Sequence, residues 1–136
     1  LDLLYEKKKI PLNNILKMYT MKTSSLFKIC CVGPFIMKNS KKNEIKFAFN
    51  YAETFGIIFQ IVDDYLDVFG KKKKIGKTLG KDIQQKKSTI LSYYNNKETY
   101  YFCKKMIIKF EKENKSFLIK WPNLKELLHY LLNQLN

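Results

Sequence analysis

The sequence predicts an all-α protein, and three observations carry that expectation. Apolar residues recur at mixed three- and four-residue spacing over long stretches, as amphipathic and buried helices require. No segment alternates with period two over a useful length. Helix breakers are few, with 5 Gly and 3 Pro in 136 residues. At 46% hydrophobic and 15% aromatic the chain has material for a core and does not read as disordered. It carries no internal repeat and no linker rich in Gly, Ser or Pro. Residues 1–136 therefore read as one domain or part of one.

The elements follow in order. Pro11 sits where a helix can begin, and the helical pattern runs from Leu12 to about Val32, where Gly33-Pro34 should end it. A second helix is expected from about Ser40, a possible cap, through Phe69, with Gly70 at the stop. Lys71 to Lys74 and Gly76 to Gly80 read as a basic loop. Further helices are expected from roughly Asp82 to Tyr94 and from about Glu98 to Glu113. The Trp121-Pro122-Asn123 turn then introduces a last helix through Leu135.

Charge and cysteine content exclude several classes. The formal net charge is +14, yet all 26 basic residues are Lys. Without Arg, bidentate reading of guanine and phosphate has no instrument, so no nucleic-acid partner is expected. The excess of Lys, Asn and Ile, with Ala only at 48 and 52, fits a coding bias toward A and T. Cys30, Cys31 and Cys103 are odd in number and lack C-x-x-C spacing, which suggests neither a disulfide framework nor zinc. His129 is the sole histidine, so Ser-His or Cys-His catalysis has almost no material. The longest uncharged run, Ile29 to Met37, is too short to cross a bilayer, and no secretory signal is present. A cytoplasmic protein is expected.

The chemistry lies in Phe59-Gln60-Ile61-Val62-Asp63-Asp64-Tyr65-Leu66-Asp67. At about 100° per residue, Gln60, Asp63, Asp64 and Asp67 fall within an arc of roughly 100°, with Ile58, Val62, Tyr65, Leu66 and Phe69 on the other side. Three carboxylates crowded on one turn repel one another, and their position near the helix C-terminus worsens that. A cation should offset the repulsion. Carboxylates without His or Cys suit a hard ion, and Mg²⁺ typically takes one or two of them together with waters and phosphate oxygens. A solvated acidic patch is the alternative. Lys22 with Thr23 upstream, and Lys77 and Lys87 downstream, could serve the outer oxygens of a diphosphate as point charges.

Three ordered stretches resemble the trans-type isoprenyl diphosphate synthases, the polyprenyl synthetase family. The run FQIVDDYLDVFG is similar to the family's second aspartate-rich motif. MKTSSLF resembles its upstream Lys-Thr motif, and GKTLGKDIQQKKST resembles the segment that follows the aspartates. The agreement extends from about Tyr5 to Leu91. It implies a helical-bundle isoprenoid synthase fold and a prenyltransferase of isoprenoid biosynthesis, which condenses isopentenyl diphosphate with an allylic diphosphate. By the same resemblance Asp63, Asp64 and Asp67 would bind Mg²⁺ directly or through water. Lys22, Lys77 and Lys87 would hold the diphosphate. Lys22, Thr23 and Gln60 would act at the catalytic centre, with the oxygens of Thr23 and Gln60 lining the cavity where the allylic cation forms. The intact enzyme would be a homodimer.

The departures bear on completeness. Apart from the motif, Asp occurs only at Asp2 and Asp82, so the family's first aspartate-rich motif and its arginines have no counterpart. The resemblance thus implies the carboxyl-terminal part of one synthase domain, its amino-terminal half missing, with apolar helix faces left for that half to cover. A non-catalytic partner subunit of a synthase is the alternative, and a basic helical nucleic-acid-binding protein a more distant one. On the leading reading, residues 1–136 alone make no product from isopentenyl diphosphate and any allylic diphosphate. Radiolabelled product from the purified chain would contradict that incompleteness.

Overall fold

The computed structural model describes residues 10–70 and 89–136, and these contain helices and no strand. Pro11, in extended conformation, accepts through its carbonyl from the backbone N–H groups of Asn14 and Ile15 at 2.9 and 3.2 Å. It thereby starts α1 (Leu12–Tyr19), which passes through a wide π-helical turn (Thr20–Ser24) into α2 (Ser25–Met37). The long helix α3 (Lys42–Phe69) follows, its 28 residues reaching about 42 Å. After a 3₁₀ turn at Ile90–Ser92 come α4 (Asn96–Glu113), α5 (Lys115–Lys120) and α6 (Pro122–Asn133).

Helix α3 is the axis of the bundle and packs against α1, the wide turn, α2, the 3₁₀ turn, α4 and α6. Twelve of its 28 residues are buried, the share expected of an amphipathic helix with a broad apolar stripe. Its first turn is fixed by Glu44, whose carboxylate accepts from the Lys41 backbone N–H at 3.2 Å and pairs with Lys120 at 2.8 Å. Helix α4 starts with a reciprocal cap. The Asn95 side chain accepts from the Glu98 backbone at 2.9 Å, and the Glu98 side chain accepts from the Asn95 backbone at 2.8 Å.

The far end of the bundle is held by aromatic rings. Phe47 of α3 stacks on Phe117 and Trp121 with centroids 4.7 and 5.7 Å apart, and lies 5.9 Å from Phe110. The Tyr51 hydroxyl donates to the Leu124 carbonyl at 2.9 Å, so this buried phenol pins α6 to α3. His129 pairs with Glu111 between α6 and α4, a structural use for the sole histidine.

Two boundaries differ from the sequence expectation. Gly33-Pro34 does not stop the first helix, which continues to Met37 with Pro34 inside it. Proline removes one N–H, and the carbonyl four residues back belongs to the exposed Cys30. The real stop is Asn39, the one described non-glycine residue with positive φ, at 54°. There the Ser40 N–H reaches back to the Phe35 carbonyl at 2.9 Å, closing the helix end with a left-handed residue that asparagine tolerates. The helix expected from Asp82 to Tyr94 is absent from its described part. Thr89 is extended (φ −119°, ψ 170°) and accepts from the Leu91 N–H at 3.3 Å, which starts a single 3₁₀ turn. Residues 82–88 of that expectation, which include Lys87, and the expected basic loop of Lys71 to Lys74 and Gly76 to Gly80, which includes Lys77, lie outside the described residues.

Alkaline pH provides a test of this core. Burial pushes the Cys103 thiol up from 9.0 to about 12, and burial likewise raises the Tyr51 phenol. With its folded pKa above the unfolded value, the native state retains a proton that the unfolded state releases. The stabilisation is complete below pH 9, and is lost progressively as pH rises toward 12. The denaturation midpoint should fall over that window, and Cys103→Ala should flatten the slope without abolishing it, because Tyr51 titrates with the same sign.

Candidate functional site

The site is built where α1 and the wide turn cross the second half of α3. In an ordinary α-helix, residues five apart are rotated by about 140°, which would carry Tyr19 and Ser24 to different faces. The i→i+5 pattern of the wide turn brings them round to the same side, and both are buried, at 1% and 0% exposure. Lys22 and Thr23 ride on this turn, Lys22 exposed and Thr23 half-buried.

Glycine at 56 permits the approach. A Cβ there would lie 3.0 Å from Ser24 Oγ and 3.1 Å from Ser24 Cα, so backbone meets backbone with only a hydrogen between. Below this contact Phe27 packs edge-on against Phe55 and Phe59, with centroids 4.8 and 5.3 Å apart. Ser24 Oγ itself is buried without a hydrogen-bond partner.

From that crossing a line of hydrogen bonds runs through the predicted residues. The Thr23 hydroxyl donates to Gln60 Oε1 at 2.7 Å, and Gln60 Nε2 donates to Asp64 Oδ1 at 3.2 Å. The Tyr19 hydroxyl donates to Asp64 Oδ2 at 2.5 Å and accepts from the Ile90 backbone N–H at 2.9 Å. Gln60 and Asp64 are both buried. A buried carboxylate is tolerable only when hydrogen-bonded, and here each oxygen has a donor. The Lys-Thr segment and the aspartate segment, 37 residues apart at the Thr23–Gln60 bond, are thus joined directly.

The three aspartates have different surroundings. Asp63 is exposed, Asp67 is half-buried and Asp64 is buried. Leu66 was expected on the apolar side, but it is 41% exposed, as is Phe59 at 39%. Helix α3 is therefore covered on most of its circumference here, leaving open a strip that carries Phe59, Asp63 and Leu66. Among the described residues no three Asp, Glu, His or Cys side chains are disposed around a common metal position. The donor set, one exposed carboxylate with a second half-buried, still fits Mg²⁺, which fills most of its octahedron with water and phosphate. Lys22, exposed, neighbours Thr23 on the wide turn, while Lys77 and Lys87 lie outside the described residues.

The sequence reading missed Tyr19, Ile90 and the Gly56–Ser24 crossing. Tyr19 could have been found, since its spacing of four from Thr23 places the two on one helical face. The Ile90 N–H has no sequence signal at all.

The family model for polyprenyl synthetase matches residues 1–118. The chain is 32% identical over 116 residues to a dimethylallyltranstransferase of Fischerella ambigua, which covers 85% of this chain and 34% of that protein. It is 36% identical over 92 residues to a farnesyl diphosphate synthase of Micrococcus luteus, 68% of this chain and 32% of the other. Against a geranylgeranyl diphosphate synthase of Cyanophora paradoxa it is 31% identical over 78 residues, 57% of this chain and 26% of the relative. The chain belongs to the polyprenyl synthetase family, whose fold is a helical bundle. It spans about a third of the length of the first two of these relatives. No helix among the described residues is long and apolar enough to cross a membrane.

The crossing can be tested by substitution. Gly56→Ala must displace the Ser24 backbone, and overpacking of this kind costs about 1–3 kcal/mol, read from the urea midpoint. Ser24→Ala, which removes an unpartnered buried hydroxyl, should be neutral or stabilising on its own. In the Gly56→Ala background it should recover part of the loss, because the contact with Cα remains.

Proposed function

We propose that this chain carries the diphosphate-ionising part of a prenyltransferase that condenses isopentenyl diphosphate with an allylic diphosphate. The observation that carries this reading is the Thr23–Gln60–Asp64 line, which links two of the family's motifs through side chains at 2.7 and 3.2 Å. On this reading Asp63 and Asp67 face the metal, with Asp64 behind them as a ligand or a support. Bound Mg²⁺ would supply charge to the departing diphosphate.

The chain's own residues then divide the work. Lys22 presents a cation to the outer diphosphate oxygens, and Lys77 and Lys87 are proposed to do the same. Thr23 donates its hydroxyl hydrogen bond to Gln60 Oε1, so its oxygen keeps its lone pairs as an acceptor. Gln60 cannot swing away, since its amide nitrogen is committed to Asp64. Two fixed oxygen dipoles, held in place before the reaction, favour positive charge developing on the allylic carbon. The exposed apolar side chains Leu26, Ile29 and Met37 of α2 support a further segment packing there, as an incomplete synthase would need. We also propose a cytoplasmic homodimer for the complete enzyme.

The test is reconstitution. The chain is co-expressed with the amino-terminal half of a related synthase, and turnover is followed against Mg²⁺ concentration. Asp63→Ala should lower turnover by about 10²-fold or more, and Lys22→Ala should weaken the hold on the diphosphate. Serine at positions 72 and 73 should change only the salt dependence, since on this reading neither lysine contacts metal or diphosphate and charges not in contact are screened over about 10 Å. If Asp63→Ala is no worse than the loop changes, the aspartate face is a solvated patch and the reading is wrong. Wild-type chain that never yields product in this setting would instead favour the non-catalytic subunit.

A further inference from the structure

Resting on that reading of the aspartate face, the geometry points to Tyr19 as a positioning residue that holds Asp64 in register and ties the strand of chain at Ile90 to it. Four segments meet at or one bond away from the Asp64 carboxylate. They are α1 through Tyr19, α3 through Gln60, the wide turn through Thr23, and the chain at Ile90. Among the described residues, the phenol both donates to the carboxylate and accepts from another element's backbone. Its ring is 1% exposed, so the hydroxyl cannot exchange these partners for water without the helix moving.

The consequence is directional. With Oδ2 held by Tyr19 and Oδ1 by Gln60, rotation of the Asp64 carboxylate would break both bonds. A carboxylate locked in this way fixes the Gln60 amide, and through it the Thr23 hydroxyl. It also keeps a buried negative charge one helical step from Asp63, where it raises the attraction of that residue for a cation. Ile90 lies three residues beyond Lys87 in sequence, so the phenol fixes the backbone a short distance from that lysine along the chain. Tyr19 need not touch substrate or metal for any of this. Partners that support a ligand from behind typically change metal affinity by about 10–100-fold when removed.

Tyr51 offers a matched comparison. It too is a buried tyrosine, 2% exposed, whose hydroxyl donates to another element, but it lies at the aromatic end of α3 and not on the hydrogen-bonded line. The experiment compares Tyr19→Phe, Tyr51→Phe and Asp63→Asn in the full 136-residue chain. Mn²⁺ binding is followed by the loss of free-ion electron paramagnetic resonance signal, and amide exchange at Ile90 by NMR. Tyr19→Phe should weaken Mn²⁺ about tenfold and speed Ile90 exchange by a similar factor. Tyr51→Phe should lower the melting midpoint comparably while leaving both readouts at wild-type values. If the two phenylalanine variants behave alike in Mn²⁺ affinity and Ile90 exchange, Tyr19 is only a structural residue and the inference fails. If wild type and Asp63→Asn bind Mn²⁺ equally, the metal reading of the aspartate face fails, and the positioning role falls with it.

Discussion

Asp64 is a carboxylate with almost no access to water, placed on the buried, largely apolar side of α3. Left unpaired there it would cost several kcal/mol, enough to consume much of the stability of a small domain. The surrounding structure can be understood as the set of contacts that avoid that cost. Tyr19 must be buried to reach it, which commits α1 to lie against α3. Gln60 must be buried to reach its other oxygen, and the Gln60 carbonyl then calls for the Thr23 hydroxyl. The wide turn follows as the backbone solution that lets Tyr19, Thr23 and Ser24 all face α3.

Interactions elsewhere are of a different kind. The stacked rings of Phe47, Phe117 and Trp121, and the apolar contacts around Ile58, Ile61 and Leu128, are non-directional and supply most of the cohesion. The ion pair between Lys28 and Glu53, at 3.0 Å and partly in solvent, adds little by comparison. Burial holds the bundle together, while the hydrogen bonds at its other end set where side chains point. Specific geometry is therefore concentrated around α1, the wide turn and the second half of α3.

Much of this was legible beforehand, for identifiable reasons. The helical pattern of α3 and its end at Phe69 follow from spacing and from Gly70, and Gln60, Asp63, Asp64 and Asp67 share a face by rotation alone. Spacing could not show that Asp64 turns inward while Asp63 faces solvent, because neighbouring aspartates are chemically identical until something packs over one of them. Gly33-Pro34 misled because a breaker acts only where its missing bond matters. Asn39 was overlooked because Gly33-Pro34 offered an earlier stop, although asparagine is, after glycine, a residue that readily takes left-handed angles at a helix end. The Asp82–Tyr94 expectation failed at its end, since Thr89 had a better local partner in the Leu91 N–H than a helix would give it.

The Gly56–Ser24 crossing has a practical side for anyone reshaping this protein. Two backbones separated by a single hydrogen leave no latitude, so position 56 is a fixed pivot about which libraries of variants should not be built. Phe59, three residues on, is the opposite case. Its ring packs on both Phe27 and Phe55 yet stays 39% exposed, so its size can change without moving the pivot. Position 59 is thus adjustable, one turn away from a joint where even one added methyl group forces the backbone to shift.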